Sequence, residues 1–298
     1  MEPWIAITLL AAGLQNARSA LQRQLTERLD ATEASYVRFC FAAPFALVYV
    51  LALVATGLEL PPLNGRFLAY AFAGGMAQIA GTVALIRSFA YRNFAVGTAY
   101  AKTEAVQTVP FSLLLIGEGV SWGVAAGIGI SLGGVLLLAP RAPRATAEAQ
   151  PSAWIGAGGW FGIGAGAGFA CSAVCYRAAS LSLDGDYIVT AALTLLAATT
   201  AQTLVMGGWI GRRSGAFCRI ATTWRTSVWV GLFGMTASAS WFTAMTLQSA
   251  PLVRALGQVE LLFAFVVSLL IFRERVRMAE VAGSALIVVG IVLVLMLR

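Results

Sequence analysis

The chain repeats itself. Moving its second half back by 156 residues places Glu260 on Glu104, Glu274 on Glu118, Gly283 on Gly127, Gly290 on Gly134 and Trp160 on Trp4, with no gap between Glu104 and Gly134. Each copy is strongly apolar, and each carries a carboxylate inside a hydrophobic run. Such a chain must build two similar units. With 59% hydrophobic and only 11% charged residues, it lacks the polar surface to cover a soluble globule. The bilayer is therefore the expected solvent, and paired units of this kind are a common plan for secondary transporters.

Ten segments are long enough to cross a hydrocarbon core of about 30 Å as helices of about 20 residues. They run from Pro3 to Gln22, Ala34 to Thr56, Phe67 to Tyr91, Phe94 to Ile116, Ser121 to Ala139, Ala153 to Ala179, Tyr187 to Ile210, Thr226 to Gln248, Pro251 to Phe272 and Arg277 to Leu297. The expected fold class is all-α integral membrane: ten transmembrane helices as two inverted five-helix repeats. Residues 1–140 form the first repeat, 141–152 a linker rich in proline and arginine, and 153–298 the second. Inversion follows from the odd number of spans per copy, since the second must enter from the opposite side.

The net charge of +7 is spread between apolar runs and forms no basic face, so it reads as topology and not as nucleic-acid binding. Arg23, Arg28, Arg92, Arg141, Arg144, Arg212, Arg213, Arg219, Arg225, Arg273, Arg275 and Arg277 fall in the odd-numbered connections. The positive-inside rule would make those loops cytoplasmic and both termini external. The chain has no histidine, which excludes Ser-His catalysis and histidine metal sites. There is no phosphate-cradling Walker pattern. Cys171 and Cys175 share a helical face but have no further ligand nearby, so they fit packing better than a metal. No enzyme and no cofactor is expected.

Glycines at four-residue intervals let helices approach closely, as in Gly158/Gly162/Gly166, Gly123/Gly127 and Gly129/Gly133. In the sixth span they imply either static packing or room for a cavity, and Gly156 and Trp154 belong to the same stretch. Pro110 predicts a kink in the fourth span, because it removes an amide donor and crowds the carbonyl of Val106. Lys102, Glu104 and Glu260 lie near mid-span, where a charge costs at least about 2.5 kcal/mol and normally faces a bundle interior, a partner or a wet cavity. They either lock helices together or line a polar site. Glu118 and Glu274 stand at span ends and read as interfacial.

The two five-helix copies resemble EamA-type units of the drug/metabolite transporter superfamily. The residues that carry the likeness are the stretch Ala84 to Glu118, ending Gly117-Glu118-Gly119, and the stretch Ser240 to Arg275, ending Phe272-Arg273-Glu274-Arg275. The glycine-bearing fifth helices after each also fit. The resemblance implies a basket of ten helices around a central cavity, alternating access, and location in a bacterial inner membrane. Within it the chain looks most like the aromatic amino acid exporters, whose termini are drawn in the cytoplasm, opposite to the arginine count.

On that reading a zwitterion needs cations for its carboxylate, anions for its ammonium and apolar walls. Lys102 and Arg254 supply the first, Glu104 and Glu260 the second. Asn16, Gln78 and Gln258 supply neutral hydrogen bonds, and Tyr100, Trp160 and Trp241 aromatic walls. The expected partners are an amino acid substrate and the lipid bilayer. Glu104 and Glu260 are the candidates for proton coupling, and the transporter is expected to work as a monomer. The alternatives are transport of other small metabolites (multidrug, sugar or sugar-phosphate) and a scaffold that transports nothing.

Overall fold

The computed structural model describes residues 2–89, 94–138, 157–270 and 277–298. Every regular element among them is helical, in the order α1 Pro3–Leu25, α2 Ala31–Cys40, α3 Ala42–Ala55, α4 Gly65–Phe89, α5 Phe94–Ala101, α6 Glu104–Ile116, α7 Trp122–Leu138, α8 Ala157–Leu181, α9 Tyr187–Ile210, α10 Ala216–Thr222, α11 Trp224–Leu247, α12 Ala250–Gly257, α13 Val259–Leu270 and α14 Met278–Met296. Five stretches are long and apolar enough to cross a membrane on their own: Ala31–Ala55, in which α3 continues α2, Gly65–Ser88, Gly158–Leu181, Tyr187–Ile210 and Met278–Met296; α7 is a shorter apolar helix. The expected linker at 141–152 lies outside the described residues, as do Arg92, Trp154, Gly156 and the Arg273-Glu274-Arg275 end of the second motif.

The chain forms two compact units, Met1–Met76 with Ser172–Glu260 and Ala77–Cys171 with Leu261–Arg298. In the first, α1 and α11 pack chiefly on each other, with α9, α2, α3 and α12 around them. The pairing has a reason in sequence. The α1 stripe Trp4, Thr8, Ala11, Ala12 and Arg18 and the α11 stripe Ser227, Val230, Gly231, Gly234, Ala237 and Trp241 are the buried faces of the more polar helices. Turning these faces on each other keeps their polar groups away from lipid.

One end of the first unit is held by ions. Asp30 caps α2, accepting from the amides of Thr32 and Glu33 at 2.8 Å each, while Glu33 accepts from the Asp30 amide at 3.2 Å. Arg213 pairs with Asp30 at 2.7 Å, and Arg219, on the short helix α10 that the sequence gave no sign of, donates to the buried carboxylate of Glu33. That hydrogen bond, with the charge of Glu33 behind it, raises the Arg219 guanidinium above its ordinary value.

In the second unit α7 and α14 run antiparallel in direct backbone contact. A Cβ on Gly134 would stand 2.5 Å from the Gly283 carbonyl oxygen, and one on Gly290 would stand 2.6 Å from that of Gly127. Gly123 faces Leu297 in the same seam, whereas Gly129 and Gly133 meet nothing within 4 Å, so one of the two expected glycine pairs in this helix packs and the other does not. In α8, Gly166 and Gly168 are closely covered and Gly164 is open. Gly117 ends α6 in the left-handed region at φ 72°, where its amide reaches Leu113 O and that of Glu118 reaches Ser112 O. The first glycine of the Gly-Glu motif is thus a helix terminator.

Candidate functional site

The fourth and ninth expected spans are each broken, and at the same position of the repeat. In the first copy the break is at Lys102-Thr103, with i to i−3 bonds from Lys102 N to Ala99 O and Thr103 N to Tyr100 O, both 3.1 Å. Thr103 Oγ1 also donates to Tyr100 O at 2.5 Å, so the side chain competes for a helix carbonyl and favours the tighter turn. In the second copy the break is at Gln258, whose amide donates to Ala255 O at 3.2 Å directly after Gly257. Pro110, where a kink was expected, sits inside α6. The interruption is eight residues earlier, and it starts the next helix with Glu104 in one copy and brings Glu260 into its first turn in the other.

Around the second break the first unit assembles a connected polar cluster. Gln15 of α1 donates through Nε2 to Glu260 Oε2 at 2.5 Å and accepts from Trp241 Nε1 of α11 at 3.1 Å. Asn16 Nδ2 donates to the Glu260 carbonyl at 2.9 Å. The Arg254 guanidinium lies 5.1 Å from the Trp241 ring centre, a cation–π contact. Glu260 is 7% and Gln258 3% exposed. Gly257 makes room for the indole, since a Cβ there would stand 2.5 Å from Trp241 Cη2. Tyr176 of α8 stacks on Phe242, ring centres 4.3 Å apart, and accepts from Gln202 of α9 at 3.3 Å.

Of the residues expected from sequence, Asn16, Trp241, Arg254, Gln258 and Glu260 are therefore neighbours in one unit. Tyr100, Lys102 and Glu104 surround the first break, in the second unit, where Gln107 bridges Thr103 Oγ1 at 2.7 Å and the Ile163 carbonyl of α8 at 3.2 Å, and Gly166 lies against the turn. Gln78, also of the second unit, sits on α4 with its carbonyl accepting from Thr82 at 2.8 Å, and Trp160 is 63% exposed.

Sequence reasoning passed over Gln15, Arg18 and Arg38. Arg18, only 8% exposed, is within electrostatic range of Glu260. Arg38 is within range of Arg18, Arg254 and Tyr176. The signal was available, because Arg18 and Arg38 both stand about 10 Å or more inside helices that are otherwise apolar. Among the described residues no group of three or more Cys, Asp or Glu side chains could hold a metal ion.

Long apolar helices, two interrupted helices and buried charge at one interruption define a multi-pass membrane protein with a polar interior. The chain belongs to the EamA-like transporter family of the drug/metabolite transporter superfamily, whose model matches residues 3–139 and again 156–296. Members of this family are membrane transporters of small metabolites. A solved crystal structure described only as that of a protein superposes with a TM-score of 0.69 at 17% identity, covering 100% of this chain and 99% of the other, which shows the fold alone. No curated protein matches the chain.

Proposed function

We propose that this chain is a secondary transporter of ten spans in two inverted five-helix repeats, working by alternating access in a bacterial inner membrane. The observation that carries the reading is the coincidence of broken helix and buried charge: the network Gln15, Trp241, Glu260 and Arg254 closes around the break at Gln258. A scaffold needs no break there, whereas a substrate site gains unwound backbone and a place to flex. The glycine seam supports inversion. Gly127 and Gly283 are equivalent, as are Gly134 and Gly290, and each residue of one copy meets the other's opposite member across antiparallel helices. An axis in the membrane plane produces that exchange.

For cargo, the cluster suits an amino acid, which is the finer likeness to the YddG-type aromatic amino acid exporters. Arg254 would take the carboxylate, Glu260 the ammonium, and Trp241, Tyr176 and Phe242 would wall the side chain. Uptake of radiolabelled amino acids into proteoliposomes, with and without a pH gradient, tests this against empty vesicles and the Glu260→Gln variant. Flux above empty vesicles that the variant loses supports the reading. Equal flux in vesicles with and without protein overturns it.

A further inference from the structure

Resting on the transporter reading, we infer that the cargo is a small organic anion whose carboxylate or phosphate is held by Arg18, Arg38 and Arg254. The three are brought together by α11. A Cβ on Gly234 would lie 3.4 Å from Arg18 Cδ and 3.8 Å from Arg38 Cγ, so both stems pass over this glycine, and two turns further along the same face Trp241 carries Arg254. Their charges act on one another: Arg38 feels both Arg18 and Arg254.

Glu260 is the buried carboxylate that faces this group, and its Oε2 already accepts from Gln15. The other buried carboxylate of the unit, Glu33, is bound by Arg219 at the end of α2. Three guanidiniums thus face one carboxylate in a membrane interior. A zwitterion cannot relieve this surplus, because its ammonium adds the charge that its carboxylate removes. An anion does relieve it. Guanidinium forks also match the paired oxygens of carboxylate and phosphate.

A purely structural arginine looks different in the same unit. Arg177 donates to the carbonyls of Met245, Thr246 and Gln248 at 2.5, 3.3 and 2.7 Å, closing the end of α11. Arg18 reaches Ser19 Oγ at 3.4 Å, and its Nε, buried, has no hydrogen-bond partner among the described residues. The buried Oε1 of Gln258, at the break, has none either. Buried donors and acceptors of this kind are normally satisfied, so their orientation points to a ligand.

The test is counterflow in proteoliposomes of the full chain with radiolabelled phosphate, glucose 6-phosphate, malate, glutamate and phenylalanine, joined to thermal unfolding of the wild-type protein in the presence of each. One or more of the anions should exchange and raise the melting temperature, the phosphate arms or the carboxylate arms identifying the oxyanion, while phenylalanine does neither. Arg38→Gln should weaken the apparent affinity about tenfold or more, and Arg38→Lys should recover part of it. Exchange of phenylalanine with no anion overturns the anionic cargo and leaves the transporter reading standing. Exchange of nothing in the panel, with no thermal shift, removes both. The wild-type melting data decide the matter even where a variant fails to fold.

Discussion

Gly134→Ala should loosen the α7–α14 seam, and Gly133→Ala, one residue away, should not. The new Cβ at 134 would stand 2.5 Å from Gly283 O, 2.8 Å from Ile287 N and 2.9 Å from Ile287 Cγ1. An ordinary carbon–oxygen approach is about 3.3–3.6 Å, so the helices must part by roughly 1 Å along a line of backbone atoms that cannot turn aside. Overpacking of this sort costs about 1–3 kcal/mol. Alanine's better helix propensity returns about 1 kcal/mol, but the control at Gly133, with nothing within 4 Å, gains the same amount, so the difference between the two variants isolates the seam. Thermal unfolding in detergent, followed by circular dichroism, should place Gly134→Ala several degrees below Gly133→Ala. Gly290→Ala, facing Gly127 O at 2.6 Å, should behave like Gly134→Ala. Equal melting of Gly133→Ala and Gly134→Ala would refute the argument that backbone contact, and not helix propensity, holds these two helices.

Other outcomes are expected. Gln15→Leu strands both Glu260 and the Trp241 indole N–H, each worth about 1–3 kcal/mol when left buried and unsatisfied, so the variant should melt lower and lose flux in proteoliposomes. Gly257→Ala should drive Trp241 from its place and reduce substrate-induced thermal stabilisation, with little change in the melting of the ligand-free protein. Replacing Arg219 by Ala removes the partner of Glu33, which is 1% exposed, and should lower the melting temperature. Because the Arg219 guanidinium is raised above an already high value, the stability it brings is fully present below that range, and the wild-type melting temperature should not lose this contribution up to pH 10.

The positions of the helices were legible in the sequence because bilayer length and apolar composition act locally. The α9 range of Tyr187–Ile210 was read to the residue, and both copies of the broken span were found as apolar runs. The breaks themselves were not. They are made by a threonine side chain bonding its own helix in one copy and by a glycine yielding to a tryptophan in the other, and Pro110, the loudest local signal, stayed within its helix.

The repeat, the membrane class and the presence of buried charge were determined by the chain alone, since periodicity, hydropathy and the price of a charge in lipid need no knowledge of neighbours. Which charges meet was decided by the tertiary structure. Gln15 and Glu260 are 245 residues apart, and no pattern along the chain pairs them. Arg18 and Arg38 read as ordinary scattered cations until α11 presents a glycine over which both can pass. Which glycines pack was decided in the same way. Gly133 and Gly134 are adjacent in sequence, and only the rotation of α7 against α14 buries one and leaves the other open.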